Sequence, residues 1–206
     1  MIARLFSMGL YGLEAFTVEV EADLAKGVPC FDIVGLPGTA VKESRERVRS
    51  ALKNCGFAYP TGRITMNLAP ADKKKDGPLY DLPLLMALLK ATGQLQAETD
   101  DSVFIGELSL SGEIRPVLGA LPMAIAARKA GFRRLFVPAA NAKEAAVVEG
   151  IEIYPVSGVR ELVDFLRGRG QLPTATFSPT QGDDTAEASL DFADVRGQLE
   201  AKRALE

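Results

Sequence analysis

After two opening stretches, short apolar runs and amphipathic stretches take turns along the chain, and this alternation confines it to a mixed α/β or α+β domain. The opening stretches read as strands over 2–10 and 14–23, joined at Tyr11-Gly12. In the second, Phe16, Val18 and Val20 share one face while Thr17, Glu19 and Glu21 share the other, the period of a half-buried strand. A third strand over 31–34 runs into Gly35-Leu36-Pro37-Gly38. Thr39 is placed to cap a helix whose Val41, Val48, Ala51, Leu52 and Cys55 fall on one side, with Gly56 as its stop.

The rest follows the same logic. A strand over 63–68 precedes a loop and a helix over 82–91, for which Asp81 is the expected cap and Pro83 is tolerated in the first turn. A hairpin over 103–110 and 113–117 turns at Ser111-Gly112. Then come a helix over 118–130, a strand over 135–137, and a short helix from the capping-box-like pair Asn141 and Glu144. A strand over 151–156 and a helix over 158–166 complete the domain. Residues 171–190, rich in Pro, Thr, Ser and Asp, read as a linker between a domain over 1–170 and a terminal piece over 191–206.

Composition narrows the chemistry. The 206 residues contain no histidine, which removes Ser-His and Cys-His catalysis and the commonest zinc sites. The two cysteines, Cys30 and Cys55, lack metal-ligand spacing, so no metal site is expected and a reduced, cytoplasmic protein is the default. Acidic Glu14, Glu19 and Glu21 argue against a signal peptide, and no run approaches a membrane span. Three basic and seven acidic side chains follow Gly170. The body keeps 21 basic and 20 acidic, so no global field favours nucleic acid and a local cluster must supply any such case.

The glycine-rich turn at 35–39 lacks the Gly-Lys-Ser/Thr of a phosphate loop, and no Gly-Lys pair occurs in the chain, so ATP hydrolysis is not expected of it. The densest constellation is the loop with Lys73, Lys74 and Lys75, which with Arg63 are the candidate nucleic-acid contacts. The same triplet also reads as a solvated loop offset by Asp72 and Asp76. The Arg45, Arg47, Arg49 series reads as a solvated helix face beside Glu43 and Glu46. Arg133-Arg134 reads as an exposed turn, and Glu107 and Glu113 as structural or surface carboxylates.

Several motifs carry a family resemblance. Lys75-Asp76-Gly77-Pro78 resembles the Pro-Lys-Asp-Gly-Pro-Ser segment of Lon-type proteolytic domains, and the stretch from Phe104 to Ile114 resembles that fold's Thr-Gly-Glu-Ile hairpin. Asn67-Leu68-Ala69-Pro70-Ala71-Asp72 and Asp32-Ile33-Val34-Gly35-Leu36-Pro37 resemble the bacterial magnesium-chelatase-like AAA+ family, whose members include the YifB/ComM-type competence proteins. The terminal Val195-Arg196-Gly197-Gln198 is similar to the adenine-side turn that opens an AAA+ module.

The resemblance implies an α+β sandwich of the ribosomal-protein-S5-domain-2 or Lon proteolytic type over 1–170, followed by the start of an ATPase module. It implies that Leu79 stands where a Lon-type protease has its serine and that Leu121 lies near the lysine position. Since leucine can neither attack a carbonyl nor hold a proton, no catalytic residue and no peptidase activity is expected. It further implies a cytoplasmic, ATP- and Mg-dependent hexameric ring that moves branched or single-stranded DNA. ATP and Mg would belong to the remainder of the protein, with Val195, Gly197 and Gln198 on the adenine side. An oligomerisation module without DNA contact is the alternative, with residual Ser-Lys peptidase work or a chelatase role behind it.

Overall fold

A computed structural model describes residues 2–177 together with Arg203. Strands β1 (Ile2–Tyr11) and β2 (Glu14–Ala25) form an antiparallel hairpin in register from Ile2↔Asp23 to Tyr11↔Glu14. They are followed by β3 (Cys30–Val34), α1 (Thr39–Asn54) and β4 (Arg63–Ala69). A 3-10 turn (Pro78–Tyr80) leads directly into α2 (Asp81–Ala91). Next come β5 (Ser102–Phe104), β6 (Glu107–Leu108), β7 (Ile114–Arg115) and α3 (Ala120–Lys129). The chain continues through β8 (Arg134–Pro138), α4 (Ala142–Ala145), β9 (Glu152–Val156) and α5 (Val159–Leu166).

Seven strands make one sheet in the order β3-β4-β2-β1-β5-β8-β9, while β6 and β7 form a separate ribbon. Pairs β4–β2 and β2–β1 are antiparallel and the other four are parallel. The α+β expectation therefore holds. In β2 the alternation works as read: Val18, Val20 and Ala22 are fully buried and Glu19 and Glu21 partly exposed. By contrast, Val103, Phe104, Leu135, Phe136 and Val137 are all fully buried, so β5 and β8 are covered on both faces. Helix α2 is apolar all round because it is enclosed, with the β1–β2 hairpin on one side and α1 on the other. Each of its buried leucines contributes on the order of 1.5–3 kcal/mol.

Four local expectations are corrected. Thr39 is the first residue of α1 and makes no cap; Gly38 holds that position, and its N–H donates to Lys75 O at 2.8 Å. Asp81 does not cap α2 but begins it, fully buried, because the 3-10 turn already delivers the chain. The expected long hairpin is cut short: the Gly106 N–H donates to Leu79 O and the Leu82 N–H donates to Gly106 O, tying this stretch to the start of α2. A Cβ on Gly106 would lie 2.8 Å from Ile114, so the crossing needs glycine.

Asn141 and Glu144 form no capping box. The Asn141 amide instead brackets the Val117 backbone, accepting from its N–H at 2.9 Å and donating to its carbonyl at 2.8 Å. Glu144 accepts from the Leu121 N–H and so serves α3. The domain also runs past 170: Leu172 is buried and the Ala175 N–H donates to Ile153 O, so the first residues assigned to the linker are held against β9.

Candidate nucleic-acid interface

The lysine loop and the glycine turn are one structure. Lys75 N–H donates to Leu36 O, and Gly38 N–H donates to Lys75 O, a two-bond bridge between the segments. The Lys75 ammonium is fully buried and donates to Gly35 O at 3.0 Å and to Pro70 O. Gly35 has φ 94°, and a side chain there would strike Leu68 O; Leu36 is also left-handed, at φ 56°. This turn is the inverse of a phosphate loop: it aims a carbonyl at a cation where a phosphate loop aims N–H groups at an anion. Desolvation holds the Lys75 ammonium below the ordinary lysine value, partly opposed by Asp72. Lys75 has no exposed surface to offer a ligand, and its expectation as a phosphate contact is corrected.

Its neighbours are outside but engaged. Lys73 lies over the Phe16 ring at 4.6 Å, and Lys74 pairs with Asp76 at 2.7 Å with both side chains mostly exposed. Arg63 pairs with Asp32 at 3.2 Å, again at the surface. Such exposed pairs exchange easily with a phosphate.

The arginine series on α1 divides. Arg45 and Arg49 are exposed as expected, but Arg47 turns inward, its Nε donating to Asp81 Oδ2 at 2.6 Å and its Nη2 to Asp81 Oδ1 at 3.0 Å. Asp81 also accepts from the Leu108 N–H at 3.1 Å, so one buried carboxylate joins α1, α2 and β6. The hydrogen bond to Asp81 raises the Arg47 pKa, against a smaller opposing effect of burial. Sequence reasoning missed this pair because Arg47 and Asp81 are 34 positions apart, yet Arg47 does sit off the helix face that holds Arg45 and Arg49. Arg134 likewise is no free turn residue; it binds Asp101 at 2.5 Å and Glu98 O at 2.9 Å.

The positions of the absent Ser-Lys pair are filled by a buried leucine, Leu79 in the 3-10 turn, and by half-buried Leu121 in the first turn of α3. Among the described residues no group of three His, Cys, Asp or Glu could hold a metal ion, and no helix is long and apolar enough to cross a membrane. The glycine turn at 35–38 is closed around Lys75. Val195, Gly197 and Gln198 lie outside the described residues.

Comparison with known proteins gives this architecture its relatives. Residues 20–141 match the family described as subunit ChlI of Mg-chelatase. The chain is 41% identical over 207 residues to the competence protein ComM of Haemophilus influenzae, covering 99% of this chain and 40% of that protein. It is 41% identical over 197 residues to the uncharacterised protein YifB of Escherichia coli, covering 95% and 38% respectively. A Lon protease of Mycolicibacterium smegmatis is 26% identical over 168 residues, 76% of this chain and 21% of the protease, which fits the Lon-like reading of the fold. The chain thus spans about two fifths of the length of its ComM and YifB relatives. With more than half of its residues inside the matched region, the chain belongs to the magnesium-chelatase ChlI-like family.

Proposed function

We propose that this chain is the non-catalytic front domain of an ATP-driven AAA+ motor that acts on branched or single-stranded DNA in recombination or natural transformation. The observation that carries the reading is the 41% identity, across nearly the whole chain, to a relative named for competence. ATP, magnesium and the hexameric ring belong to the remainder of such a motor, and the domain's part is to bind or guide DNA or to help assemble the ring. The leucines at the positions of the Ser-Lys pair, with no histidine anywhere, support a role without peptide hydrolysis. The working place is the cytoplasm.

Titration of a fluorescein-labelled single strand and a four-way junction with the 206-residue chain tests the reading. Weak binding at low salt that fades steeply as salt rises is expected. Absence of binding to either DNA at low salt overturns DNA contact by this domain and leaves ring assembly as its role. A specific observation favours that second reading: Tyr11, Leu13 and Leu118 are 80%, 92% and 89% exposed. They share one area, since a Cβ on Gly119 would lie 2.6 Å from Leu10. Sedimentation that shifts to larger species with concentration, and is abolished by Leu13→Ser with Leu118→Ser, would support assembly through this patch.

A further inference from the structure

With Lys75 turned inward, an outward-facing row of positive charge remains on α1, interspersed with exposed Glu43 and Glu46. Lys42, Arg45, Arg49 and Lys53 are all exposed and occur once per helical turn. At 3.6 residues per turn they lie within an arc of roughly 80°, on a stripe about 16 Å long. Lys42 and Lys53 have no ion-pair partner among the described residues, Arg45 has the exposed Glu46 at 3.1 Å, and Arg49 lies over the Tyr59 ring at 5.5 Å. Beside this stripe runs β3, the edge of the sheet.

Between strand and helix lie two adjoining clefts, of about 210 Å³ and 350 Å³, which share Phe31 and Arg45. Half-buried Tyr59 and Gly62 form the far wall of the smaller one. Arg63, registered opposite Cys30, adds a cation across the strand and neutralises Asp32.

We infer that the α1 stripe and the clefts beside β3 are the surface on which this domain holds single-stranded nucleic acid; the inference rests on the DNA-acting role proposed above and places it on named residues. A row of cations tracks a phosphate backbone, and the Arg49 guanidinium, held over the Tyr59 ring, offers a base a planar stacking partner without reading its identity. An acidic peptide adding a strand to β3 fits less well, because Pro29 and Pro37 bracket the edge and limit its ladder.

The test is anisotropy of labelled oligo(dT) with the 206-residue chain across a salt series, comparing wild type with Arg45→Ala/Arg49→Ala, Lys42→Ala/Lys53→Ala, Tyr59→Ala, Tyr59→Phe and Lys73→Ala/Lys74→Ala. Circular dichroism confirms folding of each. Each stripe double variant is expected to weaken binding at low salt at least about tenfold and to flatten the log–log salt slope by about 1.4, at ~0.7 per phosphate on a single strand. Tyr59→Ala is expected to lose about fivefold or more and Tyr59→Phe little, as for a stacking ring.

If the wild-type chain binds while both stripe variants match it and Lys73→Ala/Lys74→Ala fails, the surface is wrong and the DNA role survives. If wild type binds no oligo(dT) or junction at low salt, the role itself fails. Binding of a polyglutamate peptide at this face with no response to oligo(dT) overturns the assignment in favour of a protein partner.

Discussion

In the loop over 70–77, Lys75 turns its ammonium onto two backbone carbonyls and disappears from the surface, whereas on α1 four cations stand in solvent and Arg47 alone turns inward. The two regions look alike as sequence, a cluster of basic residues beside scattered acids. They differ in what the backbone offers. The loop faces a glycine turn whose Gly35 carbonyl accepts from the ammonium; on α1 only Arg47 finds inward acceptors, the Asp81 carboxylate with Ala40 O and Ser44 Oγ, and the outward cations have only surface side chains to meet. Charge that has an internal acceptor becomes structure, and charge without one remains available to a partner.

The sharpest way to break this contrast is to remove Arg47. Asp81 is fully buried and Arg47 only about one-fifth exposed, so Arg47→Ala strands a carboxylate and is expected to cost about 3–5 kcal/mol. Arg45→Ala and Arg49→Ala, on the same helix, are expected to stay within ~0.5 kcal/mol. Urea unfolding of the three variants decides it, and equal costs would erase the distinction between inward and outward cations.

The same contrast within the loop predicts the next largest effect. Lys75→Met keeps volume but leaves Gly35 O and Pro70 O without their donor, for a loss of about 2–4 kcal/mol. Lys73→Ala, which gives up a ring contact, and Lys74→Ala, which gives up an exposed pair, should each lose at most about 1 kcal/mol. A Lys75→Met variant as stable as Lys74→Ala would show that the buried ammonium is dispensable.

These pairs also mark where the sequence is legible. The strand–helix alternation, the buried side of α1 and the alternation of β2 were open to reading because each is a local period imposed by one covered face. The full burial of Lys75, the Arg47–Asp81 pair and the clefts at β3 depend on segments brought together from far apart, and no local period records them. A partial signal did exist. Gly35, Pro70 and Lys75 all fall in the motifs that carry the family resemblance, which is expected when one turn is built to receive one side chain. The cap expectations at Thr39, Asp81 and Asn141 fail for a common reason: a polar side chain beside a helix start has other partners to choose from, and tertiary contacts claim Asp81 and Asn141 while Gly38 holds the cap position before Thr39.

High pH separates the inward groups by sign. Burial raises the Cys55 thiol above its ordinary 9.0, against a smaller effect of Arg160, and burial with nearby Asp76 raises the Tyr80 hydroxyl well above 10.0. Between the ordinary and the raised values the folded state keeps protons that the unfolded chain releases, so stability falls as pH rises past about 9, with Tyr80 alone costing on the order of 1 kcal/mol by pH 11. Lys75 works the other way. Its folded value is below 10.5, so in that window the unfolded chain binds more protons and the lysine adds stability as pH rises. Denaturation curves at pH 8 to 11 should therefore fall less steeply for Tyr80→Phe and more steeply for Lys75→Met than for wild type. Parallel curves for all three would deny both groups a buried ionisation.

The smallest effect sits between the extremes of burial. Arg134 and Asp101 are 24% and 39% exposed, wetter than Arg47–Asp81 and drier than Lys74–Asp76, whose side chains are 69% and 60% exposed. Burial alone would push the Asp101 carboxyl up, but hydrogen bonds from Arg134 and Ser102 outweigh it and hold the carboxyl below its ordinary 3.8. A depressed carboxylate contributes its stability above 3.8 and loses it as pH falls through the lower folded value. Because water screens this pair, the contribution is at most about 1 kcal/mol. Asp101→Asn should accordingly lose little at pH 7 and still less near pH 2, so its curve converges on wild type in acid. Were Asp101→Asn to cost as much as Arg47→Ala, burial would not be what grades these ion pairs, and the division between structural and available cations would need another cause.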